Sequence, residues 1–233
     1  MAFLQLEDWP NMQTELAPQF IGTPDGTMAQ SILSKCVHCG FCTATCPTYQ
    51  LMGDELDGPR GRIYLMKQVF EGAEPTRKTQ LHLDRCLTCR NCESTCPSGV
   101  QYGHLVDLGR KVVDAKVERP LKDRALRWLL KEGLTSTLFA PAMKLGQSVR
   151  AFLPDALKAK VPVPQAAGAW PTQTHARKVL MLAGCVQPAM MPNINTATAR
   201  VLNACGIEVV VPPAAGCCGG VKFHLNDQVG GLD

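Results

Sequence analysis

The sequence has no large excess of charge of either sign: 24 Lys and Arg stand against 20 Asp and Glu, a formal net charge of +4. A nucleic-acid binder needs a concentrated basic face, so that class is excluded and no nucleic-acid partner is expected. No uncharged apolar run approaches the roughly 18 residues of a membrane span. The first twenty residues, MAFLQLEDWPNMQTELAPQF, lack the basic-then-apolar order of a secretory signal. Also missing are G-x-x-x-x-G-K-[ST], G-x-G-x-x-G after a strand, and H-E-x-x-H. Nothing in the chain therefore promises a nicotinamide, flavin or hydrolytic zinc site of its own. The expected compartment is the cytoplasm, where clustered cysteines bind metal or do redox chemistry more often than they form disulfides.

Cysteine is what the sequence does have, twelve in 233 residues. Eight fall in two runs, CVHCGFCTATCP (Cys36, Cys39, Cys42, Cys46) and CLTCRNCESTCP (Cys86, Cys89, Cys92, Cys96), offset by 50 residues. Six of twelve positions agree: the cysteines, one Thr and the Pro. The spacing C-x2-C-x2-C-x3-C-P is that of a two-cluster ferredoxin, in which three cysteines of a run hold one [4Fe–4S] cube and the fourth ligates the other. This assigns Cys36, Cys39, Cys42 and Cys96 to cluster 1, and Cys86, Cys89, Cys92 and Cys46 to cluster 2. Structural zinc would favour paired C-x2-C knuckles separated by a longer loop. Lys35, Arg85 and Arg90 flank the loops and are candidates to offset cluster charge. His38 inside the first loop reads as a packed or solvated side chain.

The remaining pattern gives an α+β chain: a mainly helical two-[4Fe–4S] ferredoxin-type domain followed by a partial α/β (βαβ) domain. Residues 1–30 read as an arm with little structure. Residues 31–120 form the ferredoxin part. Pro59 starts a helix with Ile63, Met66 and Phe70 on one face and Gly72 past its end. A short helix over 76–84 has Leu81 inward, and another over 103–118 carries Leu105, Leu108, Val112 and Val113. Residues 121–175 read as a helical and Pro-rich linker. Residues 176–233 hold a strand at 178–183, a helix at 193–204 with Asn193 as a cap and Gly206 as terminator, and a parallel strand at 207–211. Cys185 follows the first strand and Cys217–Cys218 the second. Carboxyl ends of parallel strands gather ligands, so these three thiols form a candidate further redox or metal site. Gly216, Gly219 and Gly220 let the backbone turn there. Cys205 is assigned to packing.

Beyond these features, CVHCGFCTATCPTYQLMGDELDGPRGRIYLMKQ and HLDRCLTCRNCESTCPSGVQYG closely resemble the iron–sulfur subunits of bacterial glycolate oxidases. RKVLMLAGCVQPAMMPNINTATARVL and AAGCCGGVKFHLN are similar to their cysteine-rich CCG domain. The resemblance implies two [4Fe–4S] clusters on the eight loop cysteines, with FAD on partner subunits that oxidise glycolate to glyoxylate. Electrons would pass towards a membrane acceptor, the quinone pool. It also implies an electron-transfer subunit of an oxidoreductase complex, cytoplasmic and peripheral on the inner membrane. Subunits serving lactate or glycerol 3-phosphate dehydrogenases look similar nearby. Family members continue with a second CCG repeat, so this chain reads as a truncated or split product, with an inactive docking subunit as the competing role.

Overall fold

The computed structural model describes residues 12–212 and 217–232, and these divide into two compact units meeting at Pro120–Leu121. The first is helical: α1 (Pro24–Leu33), α2 (Phe41–Ala44), α3 (Pro47–Met52), α4 (Pro59–Phe70), α5 (Arg77–Asp84), α6 (Asn91–Thr95) and α7 (Tyr102–Lys116). Its centre is α4 packed on α7. Pro59 occupies the first turn of α4, where its missing N–H costs nothing. Ile63, Met66 and Phe70 are all buried, as their spacing predicts. The two helices approach closely because α7 carries Gly109: a Cβ there would lie 2.4 Å from Met66 Sδ.

Three local expectations change. Helix α1 begins inside the expected arm; Thr23 Oγ1 caps it by accepting Gly26 N–H at 3.0 Å, and Ala29, Ile32 and Leu33 are buried. Ala17 is buried too and donates its N–H to the Phe70 carbonyl. Small residues of the arm thus join the core; its residues 1–11 lie outside the described ones. On α5 the inward residues are Gln80 and Leu83, whereas Leu81 is 41% exposed. Gln80 goes inside because its amide donates to Asp114 Oδ1 (2.6 Å) and the Val117 carbonyl (3.1 Å), which removes the cost of burying it.

The second unit starts with α8 (Leu121–Thr135), α9 (Phe139–Ser148) and α10 (Asp155–Lys158), so the expected linker is helical and belongs to the same unit as the strands. Then come β1 (Arg177–Leu180), α11 (Gln187–Met190), α12 (Pro192–Ala204), β2 (Ile207–Val210), α13 (Gly220–His224) and α14 (Gln228–Leu232). Strands β1 and β2 pair in parallel, Arg177 opposite Ile207 and Leu180 opposite Val210, which is the βαβ arrangement. Asn193 does not cap α12. Pro192 takes the first helical position, so the helix begins one residue early and Asn193 Oδ1 is left buried without a hydrogen bond. Gly206 ends the helix in the left-handed region at φ +73°.

Candidate metal centre

Both cysteine runs fold by the same local rule. Each first cysteine closes a turn onto the preceding helix, Cys36 N–H to Leu33 O and Cys86 N–H to Leu83 O. Two residues later the chain is left-handed, at His38 (φ 52°) and Thr88 (φ 53°), and again after the second cysteine, at Gly40 (φ 84°) and Arg90 (φ 58°). A β-branched residue such as Thr88 rarely adopts this conformation. Its effect is to aim backbone N–H groups inward, as in an anion-binding nest: Thr88 N–H donates to Cys86 Sγ at 3.4 Å, and His38 N–H does the same for Cys36. Gly40 suits its left-handed φ, and the Arg60 guanidinium stands close to it, 2.9 Å from where a Cβ would lie.

The repeat also explains the shared Thr. Thr95 Oγ1 donates to Thr45 Oγ1 at 3.2 Å, fifty positions away, and Asn91 Nδ2 donates to the Thr45 carbonyl at 3.1 Å. Short helices α2 and α6 therefore face each other, and each run's last cysteine is carried towards the other run. One cavity, of about 430 Å³ and open to solvent, is lined by Cys36, Cys39, Cys42, Cys92 and Cys96. A second, of about 300 Å³, is lined by Cys46, Cys86, Cys89 and Cys92.

Burial pushes the Cys36 thiol up, and the Cys96 and Cys39 thiols beside it add to the rise against the His38 N–H. Burial, then neighbouring thiols, takes Cys42 to about 11 and Cys92 to about 12. Without a cation these sulfurs stay protonated. Ligation must therefore release protons, and the thiolates need metal charge to exist in so dry a place. Soft thiol donors converging on two cavities, with N–H groups directed at sulfur, fit iron–sulfur clusters.

The charge around the loops is placed differently from the sequence expectation. Arg85 is engaged by Asp57 (Nη1 to Oδ2, 2.8 Å) and Arg90 by Glu93 (2.8 Å). Asp57 and Arg62 are fully buried. Arg62 donates to the His82 carbonyl (2.7 Å), Thr48 Oγ1 (3.0 Å) and Asp57 Oδ1 (3.4 Å), binding the helix between the runs to the second run's approach. Burial works against ionisation of Asp57, yet hydrogen bonds from His82 and Arg85 together outweigh it and hold the carboxyl below its usual range. Arg110 reaches the Cys86 carbonyl at 2.7 Å and Thr88 Oγ1 at 3.0 Å. Tyr102, buried, places its hydroxyl 3.6 Å from Cys86 Sγ. Sequence reading missed Arg62, Arg110 and Tyr102. Arg62 had a signal: it lies four residues before Met66, on the apolar face of α4. The His38 backbone reaches Cys36, but its ring turns elsewhere, pairing with Met12 Sδ at 3.0 Å and with Tyr64 edge-on.

In the second unit the two strand ends bring Cys185 Sγ and Cys217 Sγ to 3.5 Å. Gly219 is left-handed, and a Cβ there would strike the Gly231 carbonyl at 1.7 Å. Cys217 and Cys218 are exposed, as is Cys205, which is therefore not a packing residue. Gly216 lies outside the described residues.

Residues 32–100 match the family described as 4Fe-4S dicluster domain, and residues 179–229 the family described as Cysteine-rich domain. The glycolate oxidase iron-sulfur subunit of Escherichia coli (strain K12) is 56% identical over 227 residues, 95% of this chain and 55% of that protein. The probable glycolate oxidase iron-sulfur subunit of Bacillus subtilis (strain 168) is 31% identical over 230 residues, 86% of this chain and 52% of that protein. The chain thus spans about half the length of the curated relatives it matches. No solved structure matches it. No helix among the described residues is long and apolar enough to cross a membrane. A 4Fe-4S dicluster domain followed by a cysteine-rich domain thus lies in a chain that is similar to about half the length of these two glycolate oxidase iron–sulfur subunits.

Proposed function

We propose that the chain is the electron-carrying part of a glycolate-oxidising complex, with Cys36, Cys39, Cys42 and Cys96 holding one [4Fe–4S] cluster and Cys46, Cys86, Cys89 and Cys92 the other. The observation that supports this most is that Cys36, Cys39 and Cys42 line one cavity with Cys96 of the other run, and Cys86 and Cys89 line the second with Cys46 of the other run, while Cys92 lines both. When bound, such clusters supply one-electron redox chemistry. The chain's own residues position them. The Thr45–Thr95 contact holds the two runs face to face, the left-handed residues turn N–H groups onto sulfur, and the α4–α7 core fixes both ends. Hydride chemistry belongs to flavin-bearing partners carrying FAD, where glycolate becomes glyoxylate, and the electrons leave for a quinone-type acceptor. The complex works in the cytoplasm, at the inner face of the membrane. Cys185, Cys217 and Cys218 form a separate thiol site.

Anaerobically reconstituted protein should contain about eight irons and eight sulfides, since two cubes need about four of each. Mixed with the flavin subunits, it should bleach in the visible on adding glycolate. Stoichiometric zinc in place of iron would defeat the cluster assignment. Bleaching by lactate or glycerol 3-phosphate, but not glycolate, would move the substrate. Full iron with no bleaching by any of these would leave a docking role.

A further inference from the structure

The two ligand sets differ in what surrounds their sulfurs. Around Cys46, Cys86, Cys89 and Cys92 stand two side-chain hydroxyls. Thr48 Oγ1 lies 3.2 Å from Cys46 Sγ and Tyr102 Oη 3.6 Å from Cys86 Sγ. Among the described residues, no side-chain hydroxyl reaches Cys36, Cys39, Cys42 or Cys96 in this way. We infer that Thr48 and Tyr102, with Arg62 behind Thr48, hydrogen-bond the thiolates of the second cluster and set its reduction potential above that of the first. The inference rests on the crossed ligand reading above.

Hydrogen bonds to cluster sulfurs and nearby positive charge stabilise the more negative, reduced state. Thr48 has one hydroxyl proton and two acceptors for it, the Asp57 carbonyl at 2.8 Å and Cys46 Sγ. Arg62 Nη1 donates to the same oxygen at 3.0 Å, so the oxygen already accepts from a cation and its own proton is more acidic for that. Once Cys46 is a thiolate, it is the charged acceptor, and charge-assisted bonds are the stronger ones. Tyr102 is buried and its hydroxyl donates to Cys86 Sγ at 3.6 Å. Arg62 is buried and pairs with the Asp57 carboxylate, which Arg85 shares and beside which Asp54 and His82 lie within 4.8 Å. On the other side Arg60, which faces the first loop at Gly40, is neutralised by Glu55 at 2.6 Å and is more exposed. Arg62 acts through Thr48 and is a positioning residue.

The test is a potentiometric titration of the reconstituted full chain followed by electron paramagnetic resonance. Cys39 and Cys89 each belong to one cluster whether or not ligation is crossed, so Cys39→Ser and Cys89→Ser mark the two waves. Thr48→Val, which removes the hydroxyl at Cys46 together with its bonds to Arg62 and the Asp57 carbonyl, and Tyr102→Phe, which removes the hydroxyl at Cys86, should each lower the Cys89-marked, higher-potential wave and leave the other in place. Thr48→Ser should restore it. A Cys89-marked wave that is the lower of the two, or that moves in neither variant, overturns the inference while leaving the ligand reading intact. If Thr48→Val moves the Cys39-marked wave and Tyr102→Phe the other, Cys46 serves its own run and the crossed reading itself fails. Iron content, measured on every variant, separates a lost cluster from a shifted one.

Discussion

The units are nearly equal in length, residues 1–120 and 121–233, yet among the described residues all buried apolar side chains except Ala199 and Val209 lie in the first. The first unit wraps its helices around its cysteines: Cys36 and Cys92 are themselves members of the core cluster with Leu33, Met66 and Leu105. The second brings two thiols together at the ends of a two-stranded sheet while Leu129, Phe152 and Leu180 stay exposed. A dense core buries Cys36, Cys46 and Cys92 and anchors the loops that carry the other five, of which Cys39 and Cys89 are exposed; a thin one can bring thiols near each other without burying any. The local devices are similar in both units, with left-handed turns before or after the cysteines and a glycine where the backbone is crowded. Burial is what separates them.

The largest contrast should come from charge. Arg62→Ala leaves Asp57 buried with one guanidinium fewer and removes the donor to Thr48, so it should destabilise the first unit by about 3–5 kcal/mol. Arg200→Ala, on the exposed face of α12, should change the second by no more than about 0.5 kcal/mol. Hydrogen exchange resolved by peptide reads both units in one experiment. Equal effects would show that the second unit depends on charge as the first does.

Next in size is packing. Met66 is fully buried against Gly109, so Met66→Ala should cost about 2–5 kcal/mol. Leu129 is 59% exposed, and Leu129→Ala should stay within about 0.5 kcal/mol. Denaturant midpoints at constant m-value decide it.

These two predictions also mark where sequence reading works. The helical face Ile63–Met66–Phe70 and the ends set by Pro59 and Gly72 were legible, because apolar spacing and backbone-restricted residues carry that information locally. So were the parallel pairing of the two strands and the cysteine spacing that the cavities group together. Gln80 and Leu81 exchanged places because a buried amide with two partners across the fold looks polar and therefore exposed in sequence. Arg62 and Asp57 failed in the same way: each is a surface residue by type, and their mutual burial is a property of the assembled helices. Lys35, Arg85 and Arg90 were chosen for nearness in sequence to cysteine, but ion pairs to Asp57 and Glu93 decide where Arg85 and Arg90 point. Ala17 and Ala29 have too little apolar area to mark the arm as part of the core.

Acid should separate the units more gently. Asp57 is held below the usual carboxylate range, so its contribution is complete above the ordinary value of about 3.9 and disappears as pH falls from there through the folded value. Asp57→Asn should flatten that part of the first unit's stability curve, and added salt should hardly matter because the pair is buried. Asp227 and Glu208 in the second unit are also lowered, Asp227 by Lys131 and the Gly230 N–H, Glu208 by the His175 N–H and Lys178. Their sign is the same, with stability lost as pH falls through each folded value. Their lysine partners are partly solvated, so the share of that loss due to Lys131 and Lys178 should shrink as ionic strength rises, while the share due to the backbone N–H donors should remain.

The smallest effect expected is at the second unit's thiols. Cys185, Cys205, Cys217 and Cys218 are the cysteines of that unit, and among the described residues only Cys185 and Cys217 have sulfurs in contact, at 3.5 Å. A cube needs four thiolates converging on one cavity. Metal sites also depend on a supporting shell that fixes the ligands; Cys39 and Cys89 are exposed too, but their loops stand on the buried core of the first unit, whereas Cys217 and Cys218 have only Ala199 and Val209 as buried apolar residues in their unit. Cys217→Ser combined with Cys218→Ser should therefore leave iron content and both cluster signals essentially unchanged, while Cys92→Ser, in the first unit's core, should lose iron. If the double variant instead lost iron, exposed thiols on a thin scaffold would be binding metal, and burial would not be what distinguishes the two halves of this chain.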